Sequence, residues 1–124
     1  MIRIALVVVA LLAGSAVAAP DAKQLAKDKV TAAEKIYKGT VASIQVGRAV
    51  AESAYVWSVR WLEAEVGAGK PIKQALAHHL ARMTALEADL AKAKAAGTAH
   101  PVDHDATVFY KLEAELWALR GKRT

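Results

Sequence analysis

The 124-residue sequence predicts an all-α protein: elongated antiparallel helical hairpins, or a three-to-four-helix bundle, with coiled-coil-like packing. Three observations point there. Past the first nineteen residues the chain is dominated by Ala, Leu, Glu, Lys and Arg, all strong helix formers. Apolar residues recur at steps of three and four, whereas the only β-branched patch, Val41 to Val50, shows no sustained alternation. Glycine and proline fall between the periodic stretches, where helices end and begin.

The N-terminal segment carries an address signal. Met1-Ile2-Arg3 is a short basic start and Ile4 to Ala13 an unbroken apolar run. Gly14 and Ser15 interrupt it before Ala16-Val17-Ala18, a small-x-small cleavage signature. The order predicts a signal peptide over residues 1–18, followed by a single helical domain over 19–124. The uncharged run is shorter than the roughly 20 apolar residues that cross a bilayer, so membrane attachment is expected only if the signal stays uncleaved. Without a twin arginine, export through the general route to the periplasm or cell envelope is expected.

Four helices are predicted in order. The first runs from about Asp21 to Ile44, with Ala26, Val30, Ala33, Tyr37, Val41 and Ile44 on one face and Gly39 inside the pattern. The second spans about Ala51 to Val66, before Gly67-Ala68-Gly69-Lys70-Pro71 interrupts. The third follows from Pro71 to about Ala96. Its Ile72, Leu76, His79, Met83, Leu86, Leu90 and Ala93 form an a/d seam over three heptads, suited to packing within the bundle or against a second copy. After Gly97 and the His100-Pro101 loop, a fourth helix is expected from about Asp103, as N-cap, to Leu119, with Phe109, Leu112, Leu116 and Leu119 as its core stripe.

Sliding the chain by fifty residues suggests an internal duplication, with units around 30–66 and 76–119. Gly47-Arg48-Ala49 falls on Gly97-Thr98-Ala99 and Leu62-Glu63-Ala64-Glu65 on Leu112-Glu113-Ala114-Glu115; six of the twenty positions from 46 to 65 are identical. Such units bury little alone and must stack.

The string Tyr55-Val56-Trp57-Ser58-Val59-Arg60-Trp61-Leu62-Glu63-Ala64-Glu65, with the stretch from Leu76 to Trp117, resembles small exported helical proteins of uncharacterised role. More distantly, Tyr37-Lys38-Gly39-Thr40, Val46-Gly47 and Ala96-Gly97, with Asp103 at an acidic position, are similar to the helical repeat of TolC-like outer membrane efflux proteins. The chain has no outer-membrane strand segments and too few helices for a channel protomer. The resemblance therefore implies a relative of the periplasmic helical portion.

Chemistry-bearing residues are sparse. The absence of cysteine excludes disulfides, thiolate metal sites and a cysteine nucleophile. A formal charge of +5 is spread among acids as solvated helix faces, which argues against nucleic acid as a partner. His100, His104 and Asp103 are the candidate metal ligands, with two histidines four apart, while adjacent His78 and His79 diverge by about 100° on a helix. Glu63, Glu65, Glu113 and Glu115 are expected as solvated ion-pair partners, Glu63 with Arg60 and Glu115 with Lys111, rather than as an acid–base pair. Trp57, Trp61 and Tyr55 are the candidate partner-binding residues, Trp57 foremost because it lies off the Val59-Leu62-Val66 stripe. No nucleophile triad, phosphate loop, small-molecule substrate or cofactor is indicated. The expected function is a non-enzymatic interaction or scaffold protein, with a metal-binding or stress-sensing protein using His100 and His104 as the alternative.

Overall fold

The structure, a computed structural model, describes Ala19 and residues 21–124; the expected signal peptide, residues 1–18, lies outside the described residues. Four helices follow one another: α1 (Ala22–Gln45), α2 (Ala51–Gly67), α3 (Ile72–Ala95) and α4 (Pro101–Arg120). The described residues contain no strand, and none of their helices is long and apolar enough to cross a membrane. The chain is an all-α bundle of two hairpins. α1 packs chiefly on α2 and α3 on α4, while α2 also meets α3 and α4 and so lies at the centre.

Each helix end has a local cause. Asp21 stands just outside α1 and its Oδ1 accepts from Gln24 N at 2.7 Å, satisfying an otherwise orphaned donor. At the far end Gly47 turns left-handed (φ 75°), which lets Arg48 N donate to Ser43 O at 2.8 Å. Gly97 repeats this geometry (φ 75°, Thr98 N to Ala93 O at 2.8 Å). α1 and α3 both have 24 residues and begin and end fifty positions apart, as do the starts of α2 and α4. Pro71 and His100 are the residues just before α3 and α4, and Pro101 opens α4, where a missing N–H costs nothing.

The core matches the middle of the expected seam on α3, whereas its first member, Ile72 in the opening turn of the helix, is 38% exposed and its last, Ala93, is half-buried. Leu76, His79, Met83, Leu86 and Leu90 are all buried. One cluster joins Tyr37, Ala54, Met83, Leu86, Leu90 and Ala114; a second joins Leu62, Ala75, Leu76 and Trp117. On α1 the expected face buries Ala33 and Tyr37, with Val41 and Ile44 packed beside them.

Two expectations fail on α4. The helix starts at Pro101, so Asp103 is not its N-cap but lies in its first turn. More consequentially, the expected core stripe faces out: Phe109, Leu112, Leu116 and Leu119 are 62, 59, 43 and 85% exposed. The buried side of α4 is instead Thr107, Ala114 and Trp117, on the opposite face of the helix. Periodicity marks where apolar residues lie along a helix, and it carries no information about which neighbour covers them.

Candidate functional site

At the centre of the bundle sits a buried polar knot. Ser58 on α2 and His79 on α3 are both fully buried, with Ser58 Oγ 2.7 Å from His79 Nδ1. Arg82 Nε donates to Ser58 Oγ at 2.7 Å and Arg82 Nη2 to Ser58 O at 2.9 Å. Arg82 can only donate, so Ser58 Oγ accepts from it and shares one further hydrogen bond with His79 Nδ1, whose direction follows the imidazole tautomer; the other ring nitrogen is Nε2. That nitrogen is buried without a partner, between the rings of Trp117, stacked at 5.5 Å, and Tyr55, edge-on at 6.1 Å. Burial, with Arg82 and Arg123 nearby, holds the His79 pKa down at about 4, so the ring is neutral at pH 7. Burial likewise lowers the Arg82 pKa to about 10, still charged at neutral pH. Its guanidinium lies 4.1 Å from the Trp61 ring centroid and 5.8 Å from that of Tyr37. Arg82 thus ties α3 to both helices of the first hairpin. A hydroxyl against an imidazole has the outline of a nucleophile and its base, but here it is sealed from solvent and no acid orients the ring.

The carboxylates depart from the expected solvated pairs. Glu65 is buried, with Oε2 2.7 Å from Lys70 Nζ and 3.3 Å from His78 Nδ1. Glu63 pairs with Arg123 at 3.1 Å instead of Arg60, and Lys111 reaches Glu87 at 3.9 Å instead of Glu115. Glu113 Oε1 accepts from Tyr55 OH at 2.6 Å. Burial, reinforced by that bond, raises the Tyr55 pKa, so the phenol stays protonated. These partners come from other helices or from turns, which spacing along one helix does not reveal.

The candidate aromatic residues are divided. Trp61 turns inward, 5.7 Å from Tyr37, and Tyr55 is half-buried and stacked on Tyr110 at 4.2 Å. Trp57 is half-buried beneath the Arg60 guanidinium at 4.6 Å. It borders a groove of about 330 Å³ between α1 and α2, with Lys29, Ile36 and Ala64.

The candidate metal ligands are likewise separated. Asp103 Oδ1 accepts from Ala51 N at 3.3 Å, capping the start of α2 from the other hairpin, where Val50 has no side chain able to do so. His104 Nε2 lies 3.5 Å from Glu87 Oε2. His100 is exposed, and it lines a 220 Å³ cleft between the two glycine turns with Asp89 and Asp103. Among the described residues no group of three or more His, Asp or Glu is arranged to hold a metal ion.

The most extensive candidate is the face of α4 that the sequence placed in the core. Phe109, Leu112, Leu116 and Leu119 form one apolar stripe in water, bordered by Val108 at 38% exposure. Monomeric domains keep such patches small unless something docks on them. The stripe was visible in the sequence, but its outward orientation was not.

Comparison of the chain with protein-family models, with curated proteins and with solved structures finds no match.

Proposed function

We propose that the protein is a non-enzymatic helical interaction or scaffold module of the periplasm or cell envelope. The observation that carries this reading is the uncovered apolar stripe of α4. A stripe of large side chains at heptad spacing on a rigid helix is what a partner helix packs against. Trp57, beside the α1–α2 groove, offers a second, smaller contact. The sealed Ser58–His79 pair supports a structural rather than a catalytic use of those residues.

Export is supported by the apolar run Ile4 to Ala13 and the Ala16-Val17-Ala18 signature. The reading includes one hairpin unit used twice, supported by the fifty-residue offset of helix starts and by the paired Gly47 and Gly97 turns. The likeness to the periplasmic helices of TolC-like proteins belongs to the same proposal.

A photo-crosslinking residue at Leu112 or Leu116, in cells expressing the chain, tests the interaction. Discrete adducts are expected from these positions and not from Lys27 on α1. Uniform absence of adducts would end the reading. Mass spectrometry of the chain from the periplasmic fraction should find Ala19 as its first residue; an intact Met1 in the cytosol would remove the location.

A further inference from the structure

We infer that the exposed stripe of α4 is the interface of a parallel two-fold homodimer, in which Phe109, Leu112, Leu116 and Leu119 each meet their own copies and Glu115 pairs with Arg120 of the second copy. This inference rests on the interaction reading above and names its partner.

The first support is register. Phe109, Leu112, Leu116 and Leu119 are separated by three, four and three residues, so Phe109 and Leu116 are a positions and Leu112 and Leu119 d positions of a coiled-coil seam. The seam lies opposite the buried Thr107, Ala114 and Trp117, so a second copy approaches it without displacing α2 or α3. Asp105, at the preceding d position, ends the seam: two carboxylates facing each other there hold the first turns of α4 apart.

Area is the second support. At their observed exposures the four residues and Val108 offer about 500 Å² of side chain per copy, hence about 1,000 Å² across a symmetric pair, near the size at which specific interfaces begin. Such an area suits a dimer that dissociates on dilution, not an obligate one.

Charge decides the direction. In a parallel pair in register, a g residue faces the next e residue of the other chain, which sets Glu115 against Arg120 on both sides of the seam. An antiparallel pair that keeps the same four residues in contact sets Glu115 against Glu115 and Glu113 against Glu113. Like charges across a seam oppose association. Both Glu115 and Arg120 are exposed, and among the described residues neither forms an ion pair within the protomer.

Sedimentation equilibrium of the chain as purified from cells, from low to several hundred micromolar, should show a reversible monomer–dimer equilibrium. Leu112→Asp should abolish the dimer while far-UV circular dichroism holds and the melting temperature at the lowest concentrations, where both chains are monomeric, is unchanged, since that side chain is 59% exposed. Arg120→Glu should weaken it about tenfold, from two attractive pairs turned repulsive, and adding Glu115→Arg should restore it. With no native cysteine, Leu119→Cys should oxidise to a covalent dimer under native conditions. A monomer at every concentration would overturn the inference. So would a dimer that crosslinks only when Phe109→Cys and Leu119→Cys chains are mixed, which is the antiparallel outcome. If the purified chain is monomeric but photo-crosslinks from Leu112 reach a different polypeptide, the second copy is wrong and the interaction reading stands. If neither a dimer nor an adduct forms, both fall.

Discussion

α2 and α4 occupy equivalent places, each the second helix of a hairpin entered through a left-handed glycine, yet they meet opposite environments. Val59, Leu62 and Val66 of α2 correspond, fifty residues on, to Phe109, Leu112 and Leu116 of α4. Leu62 is 1% exposed, packed among Ala75, Leu76 and Trp117, while Leu112 is 59% exposed; the contrast closes at the end of the stripe, where Val66 is 38% exposed against 43% for Leu116. The difference is position in the stack. α2 has α1 on one side and the second hairpin on the other, while among the described residues no helix covers the far face of α4. An apolar helix face with no neighbour needs a partner if it is to leave water. α4 has such a face.

The largest expected effect sets these equivalent leucines against each other. Leu62→Ala removes buried methyl groups and leaves a cavity, and should cost about 2–5 kcal/mol in urea denaturation. Leu112→Ala, measured at dilution where the chain is monomeric, should lie within about 0.5 kcal/mol of wild type, because within the protomer the side chain has little contact to lose. Similar costs at the two positions would mean that α4 is covered as well as α2 is.

Much of the fold was legible in the sequence, and the reason differs by element. The α3 seam was readable because a heptad stripe on a helix flanked by two turns has helices on both sides to pack against, and Leu76 through Leu90 are indeed buried. The α4 stripe was equally regular and faces water, because coverage depends on which helices pack against a face, and periodicity does not record that. The polar knot was hidden for another reason: Ser58, His79 and Arg82 look unremarkable singly, and only the α2–α3 crossing brings them together. His79 falls on the predicted seam and is buried there, but nothing in the sequence marks the hydroxyl opposite it.

That knot supplies the next expected effect, again at a position where the hairpins differ: His79 on α3 corresponds to the exposed Lys29 on α1. The folded pKa of His79, about 4, lies below the ordinary value of 6.5. Below pH 6.5 the unfolded chain therefore binds a proton that the folded chain refuses, and stability falls as the pH drops from 6.5 towards 4. Above 6.5 both states are neutral at this residue and its contribution is fully present. The loss should be on the order of 2–3 kcal/mol by pH 4. His79→Leu should flatten that limb of the stability–pH curve, whereas Lys29→Leu should leave it in place. An unchanged limb in His79→Leu would assign acid sensitivity elsewhere.

A smaller effect is expected where one hairpin caps the other. Asp103 accepts from the Ala51 amide at the start of α2, while its fifty-residue counterpart, Ser53, makes no such reach to α4. Asp103→Ala should cost about 1 kcal/mol and speed hydrogen exchange at Ala51, as loss of an N-cap does. Asp103→Asn retains an acceptor and should recover most of it. Since the cap joins different hairpins, the loss should also loosen the pole where the two glycine turns meet, whereas Ser53→Ala should leave exchange there unaltered.

The smallest effect has the opposite sign. Gly39 lies inside α1, where its counterpart in α3 is Asp89, so this glycine weakens the first hairpin alone. A Cβ built there meets nothing within 4 Å, and the residue is helical, so alanine fits without strain. Replacing it narrows the unfolded ensemble and should stabilise by about 0.5–1 kcal/mol. Gly47→Ala in the same hairpin should destabilise instead, because φ 75° places a side chain in the left-handed region. If Gly39→Ala also destabilises, α1 bends or opens at that position in solution. The first hairpin would then owe its order to the packing of α1 on α2 rather than to the helix itself, and the two hairpins would differ in intrinsic stability as well as in burial.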